Sequence, residues 1–240
     1  KWLGLDWDLG PKNVLDFKSN FSQSKNIEKY IKFLTASDID TKKLYYCECS
    51  IKNIKEQCPR GVYNGICLKK NLFYNIESHV QRINIPESTV VSFQSNEIHL
   101  RKLMGDFVLL RKGGIPSYQL VSLIEDYLNG VTLIIRGDDL LPSSAAQVFL
   151  ANELKLRSFY SCEFVHHDYV KNEKGEKLSK SNGPISLDYL RKHNKGSANI
   201  YQKFGHWIGL ENAAEITNKD ILLERAKNIK FYLEKAKVPT

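Results

Sequence analysis

Residues 26–35, "NIEKYIKFLT", carry Ile27, Tyr30, Ile31 and Leu34 at helical spacing, and a single apolar stripe of that period predicts an amphipathic helix. "LYYCEC" reads as a short strand entering a group of cysteines, and "SIKNIKEQCPRG" as a short helix ended by Pro59 and Gly61. From residue 72 to 110 polar and apolar positions alternate in short runs, "VQRINI", "TVVSFQ" and "GDFVLLR", the two-residue period of half-buried strands. Helical spacing returns at Tyr118, Val121, Leu123, Ile124 and Leu128 and stops at Asn129 and Gly130, residue types that close helices.

The run "VTLII" is continuously apolar, which predicts a strand covered on both faces, as in a parallel sheet. It ends at Arg136, Gly137, Asp138 and Asp139, after which "SSAAQVFLANEL" sets Ser144 three residues before Gln147, a capping-box spacing that predicts a helix start at that point. Strand, polar loop and helix form the crossover unit of a doubly wound sheet, whose ligands lie outside the carboxyl ends of the strands. Arg136 is therefore a candidate ligand-facing residue. His166 and His167 are adjacent, have no spaced acidic partner, and read as strand residues. Beyond Pro184 the segments "SLDYLRKHNK", "NIYQKFGHWIGL" and "KDILLERAKNIKFYLEKAK" are helical and basic, without internal repeats.

At 240 residues and 42% hydrophobic content the chain can bury a substantial core, as one large domain or one domain with an insertion. No apolar run reaches the ~18 residues of a membrane span, and the start has no basic-then-apolar export pattern, so a cytoplasmic location is expected. The formal net charge of +8 favours a polyanionic partner, since clustered Lys and Arg release condensed counterions from phosphates; a Lys-rich genome would give the same excess without one. Four of the five cysteines fall between Cys47 and Cys67, and an odd number without an export signal favours metal over disulfide. Cys47, Cys49 and Cys67 offer soft thiolates for zinc, with the Tyr63 phenolate or the Cys58 thiolate as the fourth ligand. Cys162 stands apart and reads as a core residue.

In "NEKGEKLSKSNGP" two lysines flank a Leu-Ser pair, with glycine on either side. Lys177, Leu178, Ser179, Lys180 and Ser181 suit a clamp that closes on a polyphosphate and meets its developing charge.

Taken together, "KWLGLDWD", "YYCEC…GVYNGIC", "GDFVLLRKGGIPSYQLVSLIEDYLNGVTLIIRGDDLLPSSAAQVFLANEL" and "GEKLSKSNG" resemble, in order and over nearly the whole chain, the class I glutamyl-tRNA synthetase catalytic-core family. Within it they are most similar to the short glutamyl-Q tRNA(Asp) synthetases, set apart by a Cys-x-Cys…Tyr-x-x-x-Cys zinc pattern and by the lack of an anticodon-binding domain, for which too few residues follow the lysine loop. The resemblance implies an α/β fold: a Rossmann-type parallel sheet with a zinc-binding insertion and a C-terminal helical region. It implies the remainder of an N-terminal Rossmann half at 1–43, a zinc-binding, β-rich insertion at 44–104, the second Rossmann half with the lysine loop at 105–184, and helices at 185–240. It implies structural zinc on Cys47, Cys49, Tyr63 and Cys67, glutamate near Tyr118 and Arg136, and ATP with Mg2+ on residues 177–181, with Lys180, Lys177 and Ser179 acting on the phosphates.

The implied reaction is ATP-dependent formation of glutamyl-adenylate by a monomer, with transfer of glutamate to the queuosine base in the anticodon loop of tRNA(Asp). The family's HIGH-type nucleotide signature is expected upstream of Lys1, because the sequence opens without an initiator Met and reads as entered within a domain. Two other readings stay open: a glutamyl-tRNA synthetase core that charges the tRNA 3′ end, and a non-enzymatic, zinc-containing RNA-binding module.

Overall fold

The apolar stripes pack into helices and strands in a computed structural model that describes residues 2–58, 60–93, 96–168, 187–193 and 196–227. Its helices are α1 (Val14–Asp16), α2 (Ile27–Thr35), α3 (Ile51–Gln57), α4 (Leu100–Leu103), α5 (Tyr118–Leu128), α6 (Leu141–Glu153), α7 (Leu187–Lys192), α8 (Ala198–Trp207) and α9 (Lys219–Ala226). Its strands are β1 (Leu44–Cys47), β2 (Val80–Ile83), β3 (Val90–Phe93), β4 (Asn96–His99), β5 (Val108–Arg111), β6 (Ile115–Pro116), β7 (Leu133–Gly137) and β8 (Glu163–His167). Residues 22–167 form one compact unit, and residues 2–21 with the described part of 168–227 form another.

In the larger unit the stripe of α2 sends Tyr30 and Leu34 into the core, and the Tyr30 hydroxyl donates to Glu125 Oε1 on α5 at 2.7 Å. Burial, reinforced by that carboxylate, holds the Tyr30 phenol well above its ordinary range. α5 itself buries Leu120, Val121, Leu123 and Ile124. Packed against it, α6 is buried nearly all round, with Ala145, Ala146 and Ala151 among the enclosed residues. A helix without an exposed polar face is a core helix, and α6 forms the centre of this unit.

The described residues form three sheets. β1, β2, β5 and β6 make an antiparallel sheet in that order, β3 and β4 pair as a hairpin, and β7 and β8 pair in parallel from Leu133↔Glu163 to Gly137↔His167. With α6 between them in the chain, β7 and β8 form a βαβ unit of an α/β fold. The antiparallel sheet joins strands from both sides of residue 104, because β2 pairs with β1 on one edge and β5 on the other.

Two expectations are corrected. The run "VTLII" is not covered on both faces: Ile134 is 7% exposed, whereas Leu133 and Ile135 are 48% and 63% exposed. Successive strand residues point to opposite faces, and among the described residues α6 and its neighbours cover only one of them. Ser144 does not start a helix either. The helix begins three residues earlier at Leu141, with Pro142 in its first turn, where the missing N–H of proline costs nothing. Ser144 and Gln147 are consequently one turn apart and fully buried inside α6.

The smaller unit packs Tyr201, Ile216 and Leu222 with Leu3, Ile208 and Leu210, and the Tyr201 hydroxyl donates to the Leu3 carbonyl. α9 is capped by Asn218, whose side chain accepts from Asp220 N and Ile221 N. Among the described residues no helix is long and apolar enough to cross a membrane.

The two faces of β7 give a paired prediction. In the 240-residue chain Ile134→Ala should lower unfolding stability by about 2–5 kcal/mol, as deletions in a packed core do, while Ile135→Ala should change it by about 0.5 kcal/mol or less. Denaturant unfolding of both variants measures this; equal losses would mean that the outer face is also packed.

Candidate metal centre and ligand-facing strand end

β1 ends at Cys47, and the chain turns through Cys49 into α3, where the Ser50 side chain accepts from Asn53 N at 3.1 Å and caps the helix. Tyr63 and Cys67 return from the following turns. The sulfurs of Cys47, Cys49 and Cys67 lie within 4.8 Å of one another, with Cys49 and Cys67 at 3.4 Å. Tyr63 Oη is 3.2 Å from Cys47 Sγ and 3.8 Å from Cys49 Sγ, and accepts from Cys67 N at 3.0 Å. Neighbouring ligand atoms around tetrahedral zinc are about 3.5–3.8 Å apart, given its bond lengths to sulfur and oxygen. The three sulfurs lie close enough to hold one metal ion, and the distances from Tyr63 Oη to Cys47 and Cys49 fall near that range. Cys58 is buried nearby, but its thiol donates to Asn64 Oδ1 at 3.5 Å.

Burial alone would raise the Cys47 thiol, yet hydrogen bonding to Tyr63 and Arg82 and the Arg82 charge outweigh it and hold Cys47 below the ordinary range. Burial, helped by the hydrogen bond shared with Cys67, pushes Cys49 up to about 11. Burial also holds the Tyr63 phenol far above its ordinary range, with hydrogen bonds to Cys47 and Cys67 acting in the same direction. Cys49 and Tyr63 would therefore have to give up protons to bind a metal as anions.

The sequence reading missed the residues that brace this cluster. Asp106 Oδ1 accepts from Ile85 N at 2.8 Å and from Arg101 Nη1, and Oδ2 accepts from the Tyr45 hydroxyl at 2.6 Å. Arg101 Nη2 donates to Asn64 O at 2.8 Å, and Asp106 N donates to Tyr63 O at 3.1 Å. Gly105, at φ +64°, lets these backbones meet: a Cβ there would lie 2.3 Å from Tyr63 O. Arg82 takes an interior position on β2 and donates through Nη1 to Asp106 O at 2.7 Å. The available signal was Arg82 itself, a charge within the alternating run "VQRINI".

At the end of β7, Arg136 is deeply buried, its side chain 9% exposed. Its Nη1 donates to Gln147 Oε1 at 2.8 Å and Ser144 Oγ at 3.4 Å, and Nη2 lies 3.8 Å from Asp126 Oδ2 on α5. Ser144 Oγ also shares a 2.9 Å hydrogen bond with His166 Nε2. Burial, with the Arg136 charge adding to it, keeps His166 below the ordinary imidazole range. Burial raises the Asp126 carboxyl, and the Arg136 charge opposes this without cancelling it. Asp126 thus lies within ion-pair distance of Arg136. Tyr118, half exposed, opens α5, about 12 Å along the helix axis from Asp126; no hydrogen bond joins it to Arg136. Lys177, Leu178, Ser179, Lys180 and Ser181 lie outside the described residues.

Comparison with known proteins adds the family. The family described as tRNA synthetases class I (E and Q), catalytic domain, matches residues 1–205. A glutamate–tRNA ligase of Sulfurihydrogenibium sp. is 30% identical over 80% of this chain and 42% of its own length, and one of Finegoldia magna is 31% identical over 96% and 51%. A glutamyl-Q tRNA(Asp) synthetase of Deinococcus radiodurans is 29% identical over 92% of this chain and 75% of its own. The chain thus spans about half, or less, of the two glutamate–tRNA ligases. The crystal structure of a glutamate tRNA ligase from Elizabethkingia meningosepticum, in complex with its amino acid, shares the fold at a TM-score of 0.56 and 21% identity, over 76% of this chain and 40% of that one. A match over residues 1–205 of 240 establishes that the chain belongs to the class I tRNA synthetase catalytic-domain family for glutamate and glutamine, a family of ligases.

Proposed function

We propose that this chain serves an enzyme that activates glutamate with ATP and transfers it to the queuosine base in the anticodon loop of tRNA(Asp). The observation that carries the choice of acceptor is the convergence of Cys47, Cys49, Tyr63 and Cys67, the donor pattern that the resemblance ties to the short members of the family. In this reading Cys47, Cys49, Tyr63 and Cys67 would hold zinc, which would contribute folding free energy to the turns around it.

In the first step a glutamate α-carboxylate oxygen attacks the α-phosphorus of ATP in line. The bond from that phosphorus to the bridging oxygen breaks, and pyrophosphate leaves with the electron pair. A hydroxyl of the acceptor then attacks the carbonyl carbon of the adenylate, and AMP departs. Such chemistry needs positioning and charge neutralisation more than a protein nucleophile. Arg136 suits the first need. Gln147 and Ser144 fix its Nη1 edge, while its 3.8 Å approach to Asp126 is longer than the ~2.7–2.9 Å of a charge-assisted hydrogen bond and leaves the other edge for a substrate carboxylate. Tyr118 would add a directional hydroxyl, Lys180, Lys177 and Ser179 would meet the phosphates of Mg2+-ATP, and Leu178 and Ser181 would complete the nucleotide loop.

The relatives named glutamate–tRNA ligase favour a second reading, in which the acceptor is the tRNA 3′ end. Transfer of labelled glutamate to tRNA followed by nuclease digestion separates the two: label should stay with the anticodon-loop fragment of queuosine-containing tRNA(Asp), and its recovery on the terminal adenosine would replace the first reading with the second.

Activation itself is tested at Arg136. In the protein expressed from its full reading frame, Arg136→Ala should reduce glutamate-dependent pyrophosphate exchange at low glutamate by about one and a half to three and a half decades, the equivalent of a buried charge pair worth roughly 2–5 kcal/mol. Unchanged exchange would remove Arg136 from the glutamate site.

A further inference from the structure

Arg82 carries a charge in a place where a bare cation is expensive to hold. It is 7% exposed, and burial of an ion is offset only by a well-placed partner. Its Nη1 reaches a backbone carbonyl, that of Asp106, while the Asp106 carboxylate is already shared among Arg101, Tyr45 and Ile85 N. The Arg82 Nε–H is buried with no hydrogen-bond partner.

Strand register shows what Arg82 faces. Tyr45 is opposite Arg82 and Cys47 is opposite Val80, so Tyr45, Cys47, Val80 and Arg82 share one face of the β1–β2 pair. The β2–β5 pairing shifts register between Gln81 and Arg82, the kind of irregularity over-represented beside functional sites. The guanidinium carbon lies 3.8 Å from the centroid of the Tyr63 ring, and the oxygen of that ring is one of the four converging donors. A divalent ion bound by three thiolates carries a net negative charge whether the phenol binds intact or as its anion.

We propose that Arg82 is a positioning residue and counter-ion of the metal centre. Its stacked guanidinium holds the Tyr63 ring in place, and its permanent charge offsets the excess negative charge of the thiolates and phenol around zinc. This inference rests on the zinc reading given above. It explains why an arginine occupies an interior strand position with an unshared N–H, and why Asp106, which holds the Arg82 end through its carbonyl, is itself fixed by three other groups.

The test is zinc affinity of the 240-residue chain by competition with a chromophoric chelator, together with the visible spectrum of the Co2+-substituted protein. Arg82→Gln, which keeps a donor and removes the charge, should bind zinc roughly 10–100-fold more weakly, the range for loss of an outer partner of a metal ligand. Arg82→Lys keeps the charge and loses the planar stack; it should bind within about tenfold of the parent, with altered Co2+ bands because the Tyr63 ring is no longer held. Tyr45→Phe disturbs Asp106 without touching the Arg82 charge, and should lower the unfolding midpoint while weakening zinc binding less than Arg82→Gln does. Parent-like affinity in Arg82→Gln would overturn the inference, as would equal weakening in Arg82→Gln and Tyr45→Phe, which would reduce Arg82 to a structural prop. If Arg82→Gln fails to fold, Arg82→Lys decides: retained affinity with a changed spectrum supports the role, and a 100-fold loss or an unchanged spectrum removes it. A parent chain that takes up no zinc overturns the zinc reading and the inference together, whereas zinc uptake by the parent with unaffected variants overturns the inference alone.

Discussion

The carboxylate of Asp106 is fully enclosed, and three groups converge on it, one from the preceding helix and two from well-separated parts of the chain. Arg101 comes from α4, Tyr45 from β1, and the amide of Ile85 from just beyond β2. Removing a partner from such a buried ionic set is strongly destabilising, because a charge is left without compensation. The hydrogen bond from Tyr45 also works on the phenol, which burial and the adjacent carboxylate hold well above its ordinary range. Because the backbone of Asp106 bonds both Tyr63 and Arg82, this one residue ties the antiparallel sheet to the cysteine cluster.

Around that point the molecule separates two kinds of burial. The helices α5 and α6 and the inner faces of the sheets bury aliphatic side chains, where area removed from water provides the stability. The region around Cys47, Cys58, Tyr63 and Cys67 buries thiols, phenols and guanidinium groups in their own small cluster, where satisfied hydrogen bonds and charge balance decide the energetics. The end of β7 combines the two: Arg136 sits against the core helix α6, yet Gln147, Ser144 and Asp126 turn polar atoms toward it. These bonds hold the Arg136 guanidinium in a fixed orientation against the core.

Local periodicity was legible where one apolar face meets one core. The helices at Ile27–Thr35 and Tyr118–Leu128 and the strand at Leu133–Gly137 lie where the spacing of Tyr30 and Leu34, of Leu123 and Ile124, and of the "VTLII" run puts them. The motif "YYCEC…GVYNGIC" likewise pointed to the residues that converge, because a dense cysteine pattern constrains chemistry more tightly than hydropathy does. What stayed hidden depends on long-range pairing. Nothing local in the sequence reveals that Arg82 stands beside Tyr63, or that Gly105 is needed for the approach of Tyr63 O. The capping-box reading of Ser144 and Gln147 failed for a related reason: the same three-residue spacing lines up side chains on one face anywhere in a helix, and here that face turns to Arg136 and His166.

Three thiols and the Tyr63 oxygen, braced through Asp106, make up the metal centre proposed above. X-ray absorption at the zinc edge of the zinc-loaded chain tests this directly. It should show three sulfur neighbours at about 2.3 Å and one oxygen neighbour at about 2.0 Å. Four sulfur neighbours would make Cys58 the fourth ligand and Tyr63 a bystander, and would contradict it.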